Sequence, residues 1–364
     1  MNATSMLQQI ASLPGLVRDE FDVLDERVRR SLNHHDLLST KRIVVTGSGD
    51  SYMAALASEL AFESLAQIPT EPIMAMQFAR YGATYQPKLF PRNPLLLAVS
   101  AGGHSERTIE AVHAARAEGA LTLALTALPD SPVAAGAEAV LNTAVNDTPP
   151  GPGIRTYIAS LLTLMLLAIR LREVRDLISQ EEANILRRVL KRDAADTLDA
   201  TLKTLSAQAR ALAEQLKPHH SMMFVGDGPN LGTAHFCAAK VSEACGINAS
   251  GHETEEWKHV QYYISVIPKL PTFFISPGGR GHNRVAEVLQ AARRVGRFVI
   301  AIVPQGDSVA GPLADVVLPV QGDIHEAFTP LVYALPGALV ATHLCATLDR
   351  TPFNGFRGPY AIRA

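Results

Sequence analysis

The sequence predicts an α/β protein built from two similar domains, each with a parallel sheet covered by helices on both faces. Two observations lead to this prediction. Buried-strand patterns alternate with helical patterns along the chain, which is typical of parallel sheets. The same series of patterns also occurs twice within the 364 residues. At about 150 residues per domain, that length suits two domains with separate cores.

The repeat is clearest around two strands that run into glycine turns. Leu96–Ser100 precedes Ala101-Gly102-Gly103, and Thr272–Ile275 precedes Ser276-Pro277-Gly278-Gly279. A repeat of this length indicates two copies of a whole domain rather than a solenoid. Beyond these turns, four pairs of identical residues are each 177 positions apart: Glu110 and Glu287, Gly119 and Gly296, Asp130 and Asp307, and Ser131 and Ser308.

The first copy opens with a strand, a turn and a helix. The β-branched segment Arg42–Thr46 predicts a buried strand. Gly47-Ser48-Gly49 then turns the chain, and Asp50 or Ser51 is expected to cap the helix that follows. A later helix in each copy is expected to end at one of two matched glycines, Gly119 and Gly296.

Helical patterns precede and connect the two copies. Residues 1–39 are expected to be helical with a break at Pro14. The run Tyr157–Ile169 is shorter than the ~20 residues of a membrane span and predicts a buried core helix. We therefore divide the chain into a helical segment at 1–39, a first domain at 40–175, a helical connection at 176–216, a second domain at 217–350 and a tail at 351–364.

Composition excludes several classes of protein. Lys and Arg number 33 against 35 Asp and Glu, so the net charge of −2 argues against a nucleic-acid binder. The apolar share of 47% rules out a disordered chain. Three widely spaced cysteines form neither a disulfide framework nor a zinc pattern, and the first residues lack the layout of a secretory signal. We expect a cytoplasmic protein without a membrane or nucleic-acid partner.

Four loops of small residues follow strands and precede helices. A helix start suits a phosphate because it offers free N–H groups and partial positive charge. The first copy adds the hydroxyls of Ser51, Ser100 and Ser105, whereas the second copy lacks matching serines. Turn chemistry alone explains a single loop of this kind, but a pair of serine-bearing loops favours a phosphate site. The glycine spacings fit neither a dinucleotide fingerprint nor a P-loop, so no cofactor is expected. The four loops are Gly47–Ser51, Ser100–Ser105, Gly226–Asn230 and Ser276–Gly281.

These motifs resemble those of the sugar isomerase (SIS) domain family. The resemblance rests on Gly47–Ser51, on Ser100–Ser105 and on a second copy that ends near Trp257-Lys258-His259, and it covers nearly the whole chain. More narrowly, the chain is similar to the isomerase half of glucosamine-6-phosphate synthase without its glutaminase domain. The resemblance implies two tandem SIS domains, each a flavodoxin-like three-layer αβα sandwich. It also implies a homodimer with the site at the subunit interface, and a small sugar phosphate as substrate.

The resemblance also assigns roles to individual residues. Lys240 and Glu243 match the catalytic lysine and glutamate of the family, and His259 matches its ring-opening histidine, which reaches the site from the neighbouring subunit. Ser48, Asp50 and Arg357 are possible substrate contacts. The residues expected to bind the phosphate are Gly49, Ser51, Ser100, Gly102, Gly103 and Ser105.

The chemistry of the residue types agrees with these roles. Lys240 and Glu243 are three residues apart and share one face of a helix. A carboxylate can move a proton between C1 and C2 of a sugar, and an ammonium can stabilise the developing enolate oxygen. A histidine titrates near neutrality, as ring opening requires. Residues at this spacing more often form a surface salt bridge, and a lone histidine is more often solvated. The match of Lys240, Glu243 and His259 together to the family's residues reverses this preference.

The chain departs from the family pattern at several positions. Ala101 and Gly102 stand where a glutamine and a serine are usual, so fewer side chains would hold the phosphate. Phe236 replaces a glutamate one turn before Lys240. No lysine follows Arg357 in the tail, which argues against amination of fructose 6-phosphate from glutamine.

The leading reaction is the conversion of glucosamine 6-phosphate to fructose 6-phosphate and ammonia through an enediol or enolamine intermediate. The alternatives are a simple aldose–ketose isomerase, a deglycase of a phosphorylated sugar–amine adduct, and a non-catalytic sugar-phosphate sensor. A zinc site is a further, weaker hypothesis, because helical spacing would bring three residue positions to one face: His252, Glu255 or Glu256, and His259. We expect no metal.

Overall fold

The structure is a computed structural model that describes residues 3–146, 148–264 and 267–353. The chain divides into two compact units. The first unit consists of described residues within Gly15–Thr148 and Arg155–Arg192. The second unit consists of those within Met1–Pro14, Pro149–Ile154 and Asp193–Ala364. The domain boundaries drawn from the sequence remain predictions.

The first unit contains five strands, with helices before, between and after them. Its long helix α8 is buried along almost its whole length, including every residue of the run Tyr157–Ile169. This finding agrees with the expectation of a core helix. The elements are α2 (Leu13–Ser31), α3 (His34–Ser39), β1 (Ile43–Gly47), α4 (Asp50–Ala61), β2 (Thr70–Met74), α5 (Ala75–Gln77), β3 (Leu95–Val99), α6 (Glu106–Ala117), β4 (Leu121–Thr126), α7 (Pro132–Gly136), β5 (Ala139–Asn142) and α8 (Arg155–Val174).

The strands of the first unit form one parallel sheet in the order β2-β1-β3-β4-β5. Strands β1, β3 and β4 are buried at every position. Burial on both faces explains why these strands are continuous apolar runs without alternation. The strand order is that of flavodoxin-like folds, in which ligands bind beyond the carboxyl ends of the strands.

The second unit repeats this arrangement. Its sheet has the order β10-β9-β8-β6-β7, which becomes the same 2-1-3-4-5 pattern when its strands are numbered from β6. Helix α9 begins in the first unit and ends in the second. The elements are α1 (Ala3–Ala11), α9 (Gln180–Leu216), β6 (Ser221–Gly226), α10 (Pro229–Cys245), β7 (Asn248–His252), α11 (Thr254–His259), β8 (Pro271–Ile275), α12 (His282–Arg294), β9 (Phe298–Pro304), β10 (Val316–Val320) and α13 (Pro330–Thr347).

Two sheets with one strand order confirm the sequence prediction of an α/β fold with two parallel sheets. Gly119 and Gly296 follow the ends of α6 and α12 with φ near +79°, as expected for C-terminal glycines. The predicted cap of α4 is wrong. Gly49, with φ +58°, is the N-cap residue, and Asp50 is already the first residue of the helix. Pro14 lies in the first turn of α2, where proline is tolerated, and the helical break falls two residues earlier, at Ser12.

Helix α13 is an apolar segment of 18 residues, longer than the run Tyr157–Ile169. Within the described residues, it is the helix whose length and hydropathy would allow it to cross a membrane, but 89% of its residues are buried. Its position explains its composition, because a helix that is apolar on every side suits the interior of a large domain.

Candidate functional site

The two serine-bearing loops lie at the same edge of the first sheet. Strands β1 and β3 are parallel neighbours, with Thr46 opposite Ala98. The segments that follow them, Gly47–Ser51 and Ser100–Ser105, therefore leave the sheet side by side at its carboxyl edge. This arrangement brings the predicted phosphate-binding segments together, as ligand sites in open parallel sheets require.

Glycine is required at two positions of the first loop. A Cβ on Gly47 would lie 2.6 Å from the Cβ of Ser51 and 3.0 Å from the carbonyl oxygen of Val99. Gly49 has φ +58°, a left-handed conformation that side chains disfavour. These glycines hold Ser51 against the end of β1, in the first turn of α4.

Backbone hydrogen bonds fix the second loop. The N–H of Ser100 donates to the carbonyl oxygen of Leu125 at 2.9 Å, and the N–H of Gly103 donates to that of Ser100 at 3.0 Å. The hydroxyl of Ser105 accepts from the hydroxyl of Thr108 at 3.0 Å, which leaves its own hydrogen free to point elsewhere. The loop thus presents two hydroxyl groups, those of Ser100 and Ser105, on a fixed backbone.

Gly102 and Gly103 differ sharply in their surroundings. A Cβ on Gly102 would meet no atom within 4 Å, whereas one on Gly103 would lie 2.1 Å from the hydroxyl oxygen of Ser131. Because the N–H of Gly103 is already engaged, this glycine contributes close packing rather than a hydrogen-bond donor. The sequence analysis did not identify Ser131 as a neighbour of this loop. Its match to Ser308 in the repeat indicated that the position has a structural role in both copies.

The second unit holds the predicted acid–base pair on α10. The ammonium of Lys240 donates to the carboxylate of Glu243 at 2.5 Å, and Lys240 is 0% exposed. The ring of Phe236, where the family has a glutamate, lies 5.0 Å from the Lys240 nitrogen. The predicted pair therefore shares one helix face, and its lysine lies in the interior rather than on a solvated surface.

His259 lies at the end of a different helix, α11. Its side chain is 74% exposed, and its Nε2 lies 3.9 Å from a carboxylate oxygen of Glu255. Two apolar neighbours along the chain, Val260 and Tyr263, are also strongly exposed. His259 therefore lies at the surface of the second unit, beside exposed apolar side chains.

The glycine loop after β8 contains a hydrogen-bonded chain that sequence reasoning missed. The Nδ1 of His282 lies 2.7 Å from the hydroxyl of Ser276, and its Nε2 lies 2.7 Å from a carboxylate oxygen of Asp307. Asp307 also accepts the N–H group of Ala310 at 2.9 Å. These contacts join the loop after β8 to the loop after β9, at the edge that corresponds to the serine-bearing edge of the first sheet.

The zinc hypothesis is not supported by the geometry. His252 belongs to β7, outside α11, and its Nε2 lies 2.8 Å from the hydroxyl of Ser250. In the part of the chain that the structure describes, no group of three or more metal-ligating side chains is positioned to hold a metal ion. Arg357, the predicted substrate contact in the tail, lies outside the described residues.

Comparison with known proteins agrees with this geometry. A family model described as the SIS domain matches residues 36–170, which include all five strands of the first sheet. A curated relative, the isomerizing glutamine–fructose-6-phosphate aminotransferase of Gloeobacter violaceus, is 27% identical over 348 residues, or 94% of this chain and 55% of the relative. The chain spans about half the length of the curated relatives it matches.

Solved structures share the fold over nearly the whole chain. The C-terminal domain of glucosamine-fructose-6-phosphate aminotransferase from Francisella tularensis superposes with a TM-score of 0.81 at 17% identity, covering 96% of this chain and 97% of that one. Glucosamine-6-phosphate deaminase from Thermotoga maritima gives a TM-score of 0.71 at 18% identity, covering 96% of each chain. Residues 36–170 are therefore the part of this chain that is similar to a SIS domain.

Proposed function

We propose that the chain is a phosphosugar enzyme that isomerises and deaminates glucosamine 6-phosphate to fructose 6-phosphate and ammonia. The observation that carries this proposal is the buried Lys240, whose ammonium pairs with Glu243 at 2.5 Å on α10. Charged groups are rarely kept in an interior unless they are paired, so a fully buried lysine that pairs with a partly exposed carboxylate marks a candidate functional site. The names of the relatives, an aminotransferase and a deaminase of hexosamine phosphates, point to the same substrate class.

The proposal assigns phosphate binding to the first unit. The hydroxyls of Ser51, Ser100 and Ser105 and the positive ends of the α4 and α6 helix dipoles suit a phosphate dianion. Gly49 and Gly102 let the anion approach the backbone, and Gly103 keeps the second loop packed. Ser48 and Asp50, at the same turn, remain possible contacts to the sugar.

The proton transfers are assigned to α10. In the open-chain sugar, the carboxylate of Glu243 removes the proton from C2, and the electrons move to give an enolamine with its developing charge on O1. The ammonium of Lys240 stabilises that charge. Return of the proton to C1 gives an imine at C2, and water then hydrolyses the imine to fructose 6-phosphate and ammonia.

His259 is assigned to ring opening, with the proton moving between the ring oxygen and the C1 hydroxyl. Its exposure, beside the exposed Val260 and Tyr263, supports a role in the site of a second subunit. We propose a homodimer on this ground. We also propose that the second unit is a second SIS domain, because its sheet has the strand order of the first.

Proton NMR in heavy water tests the proposed function, with a panel of hexose and hexosamine 6-phosphates. Loss of the C2 proton signal of glucosamine 6-phosphate together with ammonia release is the expected result. Exchange and conversion of a sugar without nitrogen would favour the simple isomerase, and release of an amine from a sugar–amine adduct would favour the deglycase. Ligand-induced shifts without any exchange would overturn the enzyme assignment in favour of a binding protein.

A further inference from the structure

Asp227 joins the end of β6 to the start of α11. Thr254, the first residue of that helix, donates its backbone N–H to Oδ1 of Asp227 at 3.0 Å and its hydroxyl to Oδ2 at 2.6 Å. The two carboxylate oxygens of Asp227 thus accept hydrogen bonds from the two donor groups of Thr254. Two charge-assisted bonds in this arrangement fix the rotation of the first helical turn as well as its position.

The helix held in this way is short. Helix α11 has six residues, and a helix of that length is unstable on its own. Its middle is anchored by the fully buried Trp257, which packs edge-on against Phe274 at 5.5 Å. The carboxylate of Glu255 pairs with Arg284 at the exposed surface. The placement of the last residue, His259, therefore depends on a few contacts made along one and a half turns.

Capping alone does not account for Asp227. The N-cap residue of α11 is Glu253, whose own carboxylate accepts the N–H of Glu256 at 2.8 Å. Asp227 is an additional anchor that comes from another element. Burial raises the pKa of Asp227, and the neighbouring Glu253 raises it further against the bonds from Thr254. Asp227 is half-buried, so its carboxylate loses part of its hydration, and this cost is justified where the placement of the helix matters.

We propose that Asp227 is a positioning residue that, through Thr254, sets where α11 presents His259. The inference rests on the proposed function, in which His259 opens the sugar ring. A shift of about 1 Å in a reacting group can cost a factor of roughly 10² in rate. Removal of the Asp227 carboxylate should therefore lower the rate of the step that uses His259 and of no other step.

A double-mutant cycle on the full chain tests this inference, with kcat for glucosamine 6-phosphate as the readout. We expect Asp227→Ala to lower kcat about 10- to 100-fold when His259 is present. In the His259→Ala background, where spontaneous ring opening sustains the residual rate, Asp227→Ala should change kcat by less than about twofold. Thr254→Ser keeps both donors and should retain activity, whereas Thr254→Val removes the 2.6 Å bond and should lower kcat.

The matched control is Asp315→Ala, which removes a carboxylate that accepts the N–H of Val299 at 2.8 Å at the amino end of the same sheet. It should give equal kcat ratios in both backgrounds. Equal losses from Asp227→Ala in both backgrounds, or an unchanged kcat with His259 present, would overturn the inference. If Asp227→Ala does not fold, the two Thr254 variants decide, and equal kcat for both would overturn it. An unchanged kcat for His259→Ala alone would instead refute the ring-opening role in the proposed function.

Discussion

The ammonium of Lys240 lies 2.5 Å from the carboxylate of Glu243, one helical turn further along α10, and the lysine is fully buried while the glutamate is partly exposed. This asymmetry matters for chemistry. The buried cation is held in a low-dielectric setting, where it acts strongly on a nearby oxygen, while the carboxylate retains access to a substrate. In a surface salt bridge of the same spacing, both groups would be exposed to water, and the ammonium would interact only weakly with a nearby oxygen.

Glu243→Gln keeps the shape of the side chain and an oxygen to accept from Lys240, but it removes the base. We expect kcat for deamination to fall about 10²- to 10⁴-fold, with little change in sugar-phosphate binding. The measurement is the rate of C2-proton loss by NMR, together with a binding titration. Glu287→Gln is the control, because it makes the same change in an exposed pair three residues apart on α12. A Glu243→Gln enzyme as fast as wild type would refute the assignment.

Gly102→Ser should strengthen phosphate binding. A Cβ at this position meets nothing within 4 Å, so a serine fits without strain and adds a hydroxyl to a loop that has only two. One hydrogen bond to a charged group is worth roughly 1.5–3 kcal/mol, and we expect the KM for the sugar phosphate to fall about 10- to 150-fold. Gly103→Ser is the contrasting variant, since its Cβ would lie 2.1 Å from the Ser131 hydroxyl oxygen and the backbone has φ +66°. The Gly103→Ser variant should lose stability and activity. A lower KM for this variant would show that Gly103 is not needed for close packing of the loop.

Local patterns were sufficient for much of the fold. Strands such as β1 and β4 are buried on both faces, so their apolar runs identify them without knowledge of their neighbours. The Lys240–Glu243 pair was equally predictable, because a spacing of three within one helix determines that the side chains share a face. The positions of the serine loops followed from the parallel sheet, whose carboxyl strand ends share one edge.

Contacts between distant segments could not be predicted in the same way. The bond between Asp227 and Thr254 joins residues 27 positions apart, and the bond between His282 and Asp307 joins residues 25 apart, each through packing of neighbouring strands. The cap of α4 was misjudged because Asp50 has the preferred chemistry, whereas the left-handed turn at Gly49 starts the helix one residue earlier.

Mixed subunits test whether His259 acts in the site of a partner. In a heterodimer of one Glu243→Gln chain and one His259→Ala chain, one of the two sites would contain both intact residues. A symmetric dimer formed from equal amounts of the two chains should recover about a quarter of the wild-type kcat.

The control for the mixed subunits is the pair Glu243→Gln and Lys240→Met. These two substitutions impair the same α10 pair, so every site in their heterodimer lacks one member, and no recovery is expected. Folded variants that give no recovery in the first mixture would show that His259 does not act across an interface.

Asp307→Asn should make stability less dependent on pH at the acidic end. Burial raises the pKa of Asp307, but bonds from the N–H of Gly311 and from His282 outweigh it and hold the pKa below its ordinary value of 3.8. A lowered pKa means that the stabilisation is present above that value and is lost as the pH falls through the folded-state pKa. We expect the variant to lose about 2 kcal/mol at pH 7.

The difference between wild type and Asp307→Asn in the free energy of unfolding should shrink below about pH 4. Urea denaturation at a series of pH values measures it. Asp323→Asn is the control, because the Asp323 carboxylate acts through its charge on Tyr333 rather than by accepting the backbone N–H and histidine bonds that Asp307 accepts, and its effect should be small at every pH. A constant difference for Asp307→Asn across the series would show that its bonds do not depend on the carboxylate charge.

Gly337→Ala should disturb α10 from the opposite side. Gly337 lies within α13, and a Cβ there would lie 2.3 Å from the sulfur of Cys237, one turn before Lys240 on α10. In an open helix, alanine would stabilise by about 1 kcal/mol over glycine. Here we expect a loss of about 1–3 kcal/mol, because the core must move to admit the methyl group. Since α10 is what has to move, kcat should fall as well.

Gly15→Ala in α2 is the matched control for Gly337→Ala, because its Cβ would make an ordinary contact of 3.6 Å with the carboxylate of Asp19. It should be neutral or stabilising, and kcat should not change. Adding Cys237→Ala to Gly337→Ala removes the sulfur and should recover part of both the stability and the activity. Thermal unfolding and steady-state kinetics on the three variants measure these effects. If Gly337→Ala proved as stable as Gly15→Ala, the close approach of α13 would not be what positions the helix that carries Lys240 and Glu243.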